Sequence, residues 1–465
     1  MNKLRYRKIF SKRLGMLVAV AECVRSQGKR AGEGSGGGSH SGSQIVSYLS
    51  GATLAVLGLF ASLAYAQYLP SGGVVTAGQA TISQPNGNTL NINQSSQRTV
   101  IDWNSFSIGS GNTVQFYQPN SQAAALNIVT GGQASNIQGA LFANGQILIQ
   151  NASGILFGNG SIVNVGSLLA TTKSIDAGAF MTGSPFTLSG TGTQASIVNN
   201  GTITATGYVT LIADQVRNTG AINAGTNVIL AAGDSATVAL KNGQGINVIL
   251  TNATAQALVE NQGTIQASGA VLLTGRGSDT LLDTVVNLSG IVKAGTVVAD
   301  AGDTGDVVVT GAIDVSNATG QGGTVVLSGN RVGLFGEASI NASGDTQGGT
   351  VIIGGDSLNK LPGTSAAGLI TNVTFANLVQ VDAGVAIDAT AVNGKGGFVE
   401  TSGHSLGVQG SVKAGEWLID PADIYIDTGA STNVSDFTPT DDPATINNEA
   451  ISDSLNAGTN VTITT

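Results

Sequence analysis

From residue 74 onward the chain is written in short runs in which apolar and polar residues alternate, as in Gly145-Gln146-Ile147-Leu148-Ile149 and Thr324-Val325-Val326-Leu327-Ser328. Gly or Asn brackets nearly every run. A period of two between such brackets predicts short β-strands joined by tight turns. No stretch after the leader keeps a 3.6-residue period over several turns, so almost no helix is expected. The runs themselves repeat. Asn200-Gly201-Thr202-Ile203-Thr204-Ala205 returns as Thr219-Gly220-Ala221-Ile222-Asn223-Ala224 and as Gln262-Gly263-Thr264-Ile265-Gln266-Ala267. Gly322-Gly323-Thr324-Val325-Val326 returns as Gly348-Gly349-Thr350-Val351-Ile352 and as Gly396-Gly397-Phe398-Val399-Glu400. Strand repeats of this length cannot close a core singly and must stack on one another. The expected fold is all-β: a right-handed parallel β-helix, or β-solenoid, with an N-terminal cap. About 400 residues at ~22 per coil, spaced ~4.8 Å, predict a rod of roughly 85 Å. A sandwich or barrel is the rival, for which Asn86-Gly87 and Asn144-Gly145 are the hairpin signals.

Composition supports the solenoid. The chain has 67 Gly, and its charged fraction is 10%, well under the usual share of about a quarter. Charge is also unevenly placed. Residues 1–66 hold nine of the 19 Lys and Arg and only Glu22 and Glu33 among the acids, leaving a formal charge of −16 downstream. An acidic body of that kind argues against nucleic acid as a partner, which needs basic surface. The lone cysteine, Cys23, lies in the leader, so no disulfide framework, thiolate metal site or Cys nucleophile is available. No cofactor is expected.

Residues 1–66 have the layout of a targeting segment. Lys3, Arg5, Arg7, Lys8, Lys12 and Arg13 come first, then a Gly/Ser stretch from Gly32 to Ser43, then an apolar core from Leu49 to Leu63 ending in Ala64-Tyr65-Ala66. The apolar core is shorter than the ~20 residues of a membrane span. Small residues at 64 and 66 place signal-peptidase cleavage between Ala66 and Gln67. Met1-Asn2-Lys3, Tyr6-Arg7 and Leu17-Val18-Ala19-Val20-Ala21-Glu22 resemble the extended signal peptide region of large Gram-negative exported proteins.

Residues 101–172 carry a denser set of motifs: Ile101-Asp102-Trp103-Asn104-Ser105-Phe106, Ala125-Leu126-Asn127-Ile128-Val129, Ala143-Asn144-Gly145-Gln146-Ile147, Asn151-Ala152-Ser153-Gly154-Ile155-Leu156-Phe157-Gly158 and Val163-Asn164-Val165-Gly166. In order, these resemble the secretion domain of filamentous-haemagglutinin-type two-partner-secretion exoproteins. The resemblance implies export through the Sec translocon. It also implies passage through an outer-membrane transporter with periplasmic POTRA domains, and an adhesin-type role at the cell surface with carbohydrate-dependent haemagglutination as the family theme. Two departures stand out. The family often has Asn-Pro-Asn-Gly-Ile where this chain has Asn151-Ala152-Ser153-Gly154-Ile155. It tends to have Arg where this chain has Ile128. The residues expected to carry secretion or its turns are Trp103, Phe106, Asn127, Asn144, Gly145, Asn151, Gly154, Ile155, Gly158 and Asn164. Core, cap and turn roles are the plainer expectation for these side chains. The receptor stays unnamed.

Residues 396–426, with Gly403-His404 and Glu416-Trp417-Leu418-Ile419-Asp420-Pro421, resemble a segment downstream of such secretion domains. The expected division is a leader at 1–66, the secretion domain and first coils at 67–320, and shaft repeats at 321–465. The last run, Asn460 to Thr465, is strand-like, which suggests a truncated frame or a fragment. The rival function is a β-helix polysaccharide lyase or hydrolase, which would use paired acids. Asp303 with Asp306, Asp420 with Asp423 and Asp441 with Asp442 are the candidates, and their spacing does not recur at one coil's distance. His404 is isolated, so no catalytic or metal residue is assigned. Asn-x-Ser/Thr triplets at Asn151, Asn252, Asn317, Asn341 and Asn372 are read chiefly as turn chemistry.

Overall fold

The structure is a computed structural model that describes residues 6–11, 16–21, 69–190, 194–241, 245–277, 284–428, 437 and 444–465. It separates into two units, Met1–Ala64 and Tyr65–Thr465. In the first, Tyr6–Ser11 pairs antiparallel with Met16–Ala21. The Ala66–Gln67 junction, Asp441 and Asp442 lie outside the described residues.

The second unit is a parallel β-helix with three long sheets, of 14, 12 and 13 strands among the described residues. One coil shows the rule. Gln146–Gln150 belongs to the 14-stranded sheet, Ile155–Phe157 to the 12-stranded and Ile162–Val165 to the 13-stranded; Ser167–Thr171 then lands beside Gln146–Gln150. Each pairing is in register, for example Ile147 with Leu168 and Leu141 with Val163. Ile147, Ile149, Ile155, Phe157, Val163 and Val165 point inward into one continuous core that runs from Leu69 to Ile446.

The sheets differ in their outer faces, and the sequence pattern says why. Most strands of the 13-stranded sheet alternate, as in Ile162–Val165 and Thr202–Ala205, because their outer side is wet. Inner strands of the 14-stranded sheet are buried on both faces, several at every position, as in Val209–Ala213 and Thr296–Asp300. A second apolar layer covers them. It is built from helix α1 (Ala177–Thr182), a four-stranded antiparallel sheet that includes Phe186–Ser189, Ser235–Lys241 and Gly245–Asn252, and the segment 354–377. Phe180, Phe186, Leu188, Val238, Leu361 and Ile370 of this layer pack on Leu126, Leu148, Leu169, Val298 and Ile352.

These excursions correct two expectations. Coil length is not uniform. Val209 pairs with Val228, 19 residues on, but Val228 pairs with Val271, 43 residues on, because the hairpin 235–252 is looped out between them. Thr350 pairs directly with Phe398, so the 48-residue step between the Gly-Gly motifs is one coil with the segment 354–377 inserted. The stack is therefore shorter than predicted, about 60 Å for 14 strands rather than 85 Å. The body is also not wholly parallel. Asn86-Gly87 does turn a hairpin, Ala80–Asn86 with Thr89–Gln94, but within the cap. Asn144-Gly145 turns a corner between two sheets.

Helix was expected to be nearly absent after the leader, and among the described residues α-helix is confined to two short pieces beside a 3-10 turn at Leu361–Gly363. α1 starts on Asp176, whose side chain accepts from the Ala179 N–H, and stops at Gly183 with φ 78°. α2 (Asn448–Asn456) is capped by Asn447. It sits at the end of the 13-stranded sheet: Ser454 Oγ accepts from the Val412 N–H, and Thr459 Oγ1 accepts from the Ala414 N–H.

Candidate functional site: the cap and the first coils

The first edge of the solenoid is closed from within the chain. Val74–Ala77 lies antiparallel on Arg98–Trp103 and ends the 14-stranded sheet, and the hairpin 80–94 ends the 13-stranded one. A solenoid needs such a lid because an open first coil would expose both its core and its strand edge. Trp103 and Phe106 fill the space under the lid, both buried, ring centroids 5.6 Å apart and edge-on at 72°. Trp103 Nε1–H donates to Asn127 Oδ1 at 2.9 Å, and Asn127 Nδ2–H donates to Leu148 O at 3.1 Å. Asn127 is wholly buried, so this amide ties three successive coils together inside the core.

The motif at 151–158 is a folded corner. Asn151 is 1% exposed. Its Nδ2–H donates to Gln133 O and Ser135 Oγ, each at 2.9 Å, and its Oδ1 accepts from the Ser153 N–H at 2.9 Å. Gly154 has φ +107°, and a Cβ there would lie 3.1 Å from Ser196 O on the next coil. Only Gly adopts that backbone without strain. Ile155 enters the core between Ser135 and Ile197. The Gly158 N–H donates to Ile137 O at 2.7 Å.

Asn144 acts as a substitute strand neighbour: its Oδ1 accepts from the Gln118 N–H and its Nδ2–H donates to Gln118 O, both at 2.8 Å. At Gly145 a Cβ would come within 2.6 Å of Ala123 O. Of the ten motif residues only Asn164 stands apart. It is exposed on the wet face of the 13-stranded sheet, between Phe142 and Thr204 of the adjoining coils.

Three polar devices escaped the sequence reading. Gln118 Nε2–H donates to Gln94 Oε1 at 3.0 Å, and the Gly145 N–H donates to Gln118 Oε1 at 2.9 Å. Next on, Tyr208 OH donates to Gln146 Oε1 at 2.8 Å, and burial pushes this phenol's pKa up. The signal was Gln recurring about one coil apart. Asn199, Asn218 and Asn261 form a buried ladder with Nδ2–H to Oδ1 steps of 2.8 Å. Lys173, 1% exposed, pairs with Asp214 at 2.8 Å. Asp214 Oδ1 also accepts from Thr254 Oγ1 at 2.5 Å.

Ile128, which stands where the family tends to have Arg, packs against the apolar layer beneath α1. The guanidinium in that layer belongs to Arg98, whose Nη1–H donates to Phe180 O at 2.8 Å.

Three of the acidic candidates are occupied elsewhere. Asp306 accepts from Arg331 Nε at 2.9 Å, Asp303 from Thr374 Oγ1 at 2.7 Å, and Asp420 from Ser357 and from Thr464 Oγ1. Asp423 is exposed. The His404 ring meets Phe375 edge-on at 5.1 Å. Among the described residues no three His, Cys, Asp or Glu side chains converge to hold a metal, and no helix is long and apolar enough to cross a membrane.

A capped parallel β-helix whose first coils carry a secretion motif defines the class: an exported solenoid protein. The comparisons fix the family. Residues 66–313 match the TPS secretion domain, and residues 1–57 match the extended signal peptide of the type V secretion system. The chain belongs to the family of two-partner-secretion exoproteins. It is 37% identical over 231 residues to a heme/hemopexin-binding protein of Haemophilus influenzae strain Rd, covering 48% of this chain and 25% of that protein. A second Haemophilus influenzae heme/hemopexin-binding protein is 32% identical over 287 residues, covering 57% of this chain and 28% of its own length. The chain thus matches only about a quarter of these curated relatives. The crystal structure of the HMW1 secretion domain from Haemophilus influenzae aligns with TM-score 0.65 and 26% identity over 82% of this chain and all of that domain. The protein is exported through the periplasm to the outer surface or the medium.

Proposed function

We propose that this chain is an adhesin-type exoprotein whose N-terminal cap and first coils are its export signal, and that it performs no catalysis. In this reading the leader ends at Ala66 and the mature chain begins at Gln67. Residues 67–320 form the secretion domain with its first coils, and 321–465 continue the shaft. The leader engages the Sec translocon and signal peptidase; POTRA domains of an outer-membrane transporter recognise the chain. The relatives' heme and hemopexin ligands are not carried over, because the match covers so little of those proteins.

The observation that carries the reading is the self-closure of the first coils. Nine of the ten motif residues are spent on lid, core and turns, all within the stretch that matches the secretion domain. A chain that emerges N-terminus first can then seal its leading coil and offer the next one a template. The acid pairs of the enzyme reading, where described, are not free at one face.

The test is export of the full chain by its cognate transporter with Gly154→Ala and Gly154→Val. Both strain φ +107°, and the branched side chain crowds Ser196 O as well, so secreted protein should fall in the order wild type, Ala, Val. Equal secretion of all three would contradict the reading. N-terminal sequencing of the secreted chain checks Gln67; retention of residues 49–63 would overturn that boundary.

A further inference from the structure

The mature chain has ten Lys and Arg. Arg217, Arg276 and Arg331 are held in ion pairs at the surface, Lys173 in a buried one, and Arg98 lies under α1. Two of the others, Lys360 and Lys395, are exposed, have no carboxylate partner among the described residues, and line one trough of about 530 Å³. The trough abuts a second, of about 570 Å³, at Thr350, which lines both; Lys293, paired with Asp314 at 3.1 Å, lines that second one.

The fold explains the shape. The segment 354–377 forms one wall. The opposite wall is built by side loops that stack coil on coil, Asn317 on Gly344 on Ala391 and Gln321 on Gln347 on Lys395. Gly pairs at the coil corners, such as Gly348-Gly349 and Gly396-Gly397, keep the floor low. Their carbons approach backbone of the neighbouring coil so closely that no side chain fits. The combined trough runs across the strand starts from Gln266 to Thr462. That is six strand spacings of the 14-stranded sheet, roughly 29 Å.

The lining has a consistent chemistry. Gln321, Gln347, Thr350 and Asn460 offer amides and hydroxyls along its length. The half-buried Phe398 ring lies in the floor with the Lys360 ammonium 5.1 Å from its centroid. Side-chain amides and hydroxyls match the hydroxyls of a sugar, an aromatic ring matches its C–H face, and unpaired ammonium groups match carboxylates repeated along a chain. Glu416 is the one carboxylate in the lining of both troughs. Hydrolysis of a glycoside uses two, so among the described residues the lining lacks the carboxylate pair of a hydrolase.

We propose that this trough is the binding site for an extended acidic polysaccharide, a uronate-bearing chain lying across the coils. The proposal rests on the surface-exposed adhesin reading and names its ligand class. It places that ligand mostly beyond the stretch matched as secretion domain, on coils that export does not read.

The test uses the full secreted chain and polygalacturonate as probe, with dextran as the neutral polymer and poly-L-glutamate as the acidic polypeptide, followed by calorimetry at two salt concentrations. Polygalacturonate should bind, more weakly at high salt; dextran should not, and poly-L-glutamate should bind at least tenfold more weakly. Lys360→Gln with Lys395→Gln should weaken binding at least tenfold, with unchanged circular dichroism and unchanged secretion. Phe398→Leu should weaken it without changing the salt dependence. No binding by the wild type, equal binding by the double Gln variant, or equal binding of poly-L-glutamate overturns the proposal. Release of shortened polygalacturonate would overturn its non-catalytic part. Because secretion is scored on the same samples, failure to bind is distinguished from failure to be exported.

Discussion

At the scale of single residues, the motifs of the first coils work through buried amides. The sequence showed that Asn and Gly recur there, and Asn151 and Gly154 stand in a folded corner. It did not show that Asn127 faces inward, because its neighbours Leu126 and Ile128 are apolar and the run reads as uniformly buried. Inside the core the Trp103 indole N–H has one acceptor, so Asn127→Leu leaves it orphaned and should cost about 2–3 kcal/mol. Trp103→Phe in the same background should recover part of that loss, which denaturant midpoints of the three variants would show. The asparagine ladder gives a graded expectation. Asn218 both accepts from Asn199 and donates to Asn261, whereas Asn261 ends the ladder by accepting. Asn218→Ala should therefore cost roughly 2 kcal/mol and Asn261→Ala about half as much. Equal costs would show that the ladder does not act as one unit. Glu400 is buried with Oε2 unpartnered, and burial holds its carboxyl above the usual range against the Ser357 and Ser402 hydrogen bonds. A raised folded-state pKa means the folded chain holds this proton more tightly than the unfolded chain. Stability from this group is then greatest below the ordinary carboxylate pKa and is lost as pH rises through the folded value. Glu400→Gln should raise the unfolding midpoint at pH 7, and the gain should shrink toward pH 4.

At the scale of elements, every run was read as alternating, although Gln146–Gln150 and Thr324–Ser328 lie in the sheet that is buried on both faces, and the elements that cover that sheet were not legible either. Thr202-Ile203-Thr204-Ala205 alternates, and its outer side is wet. Val228-Ile229-Leu230-Ala231-Ala232 does not alternate, which requires a covering layer. What supplies the cover was hidden, because Ser235–Lys241 and Gly245–Asn252 read like further coil strands. Only their antiparallel pairing shows them to be an excursion. Excursions counted as coil at ~22 residues each lengthened the predicted rod. Helix α1 was missed because six residues give too little periodicity to read. These assignments predict a separable role. Replacing 235–252 by a short Gly-containing turn leaves a coil of ordinary length but uncovers Ile229 and Leu272. Far-UV circular dichroism should stay β-type while binding of an apolar dye rises. Loss of β-structure would mean the hairpin is needed for the coil itself.

At the scale of the whole molecule, closure and charge explain how such a chain can be exported and then fold. Cap strands close the leading end, and α2 covers the last strand of the 13-stranded sheet. Between them each coil rests mainly on its two neighbours, so folding can proceed in the order of emergence. Burial of apolar surface at ~25 cal/mol per Å² makes each added coil oppose return into the pore. Residues 67–465, acidic and cysteine-free, form no disulfide that would lock them folded before passage. Changes after residue 320 should consequently affect secretion less than changes in the first coils. The most direct measurement is the amount of chain reaching the medium, through the cognate transporter, when residues 101–172 are deleted in frame and when a stretch of equal length beyond residue 320 is deleted instead. The account predicts that the first deletion abolishes export and the second leaves most of it intact. Normal secretion of the chain lacking 101–172 would contradict it.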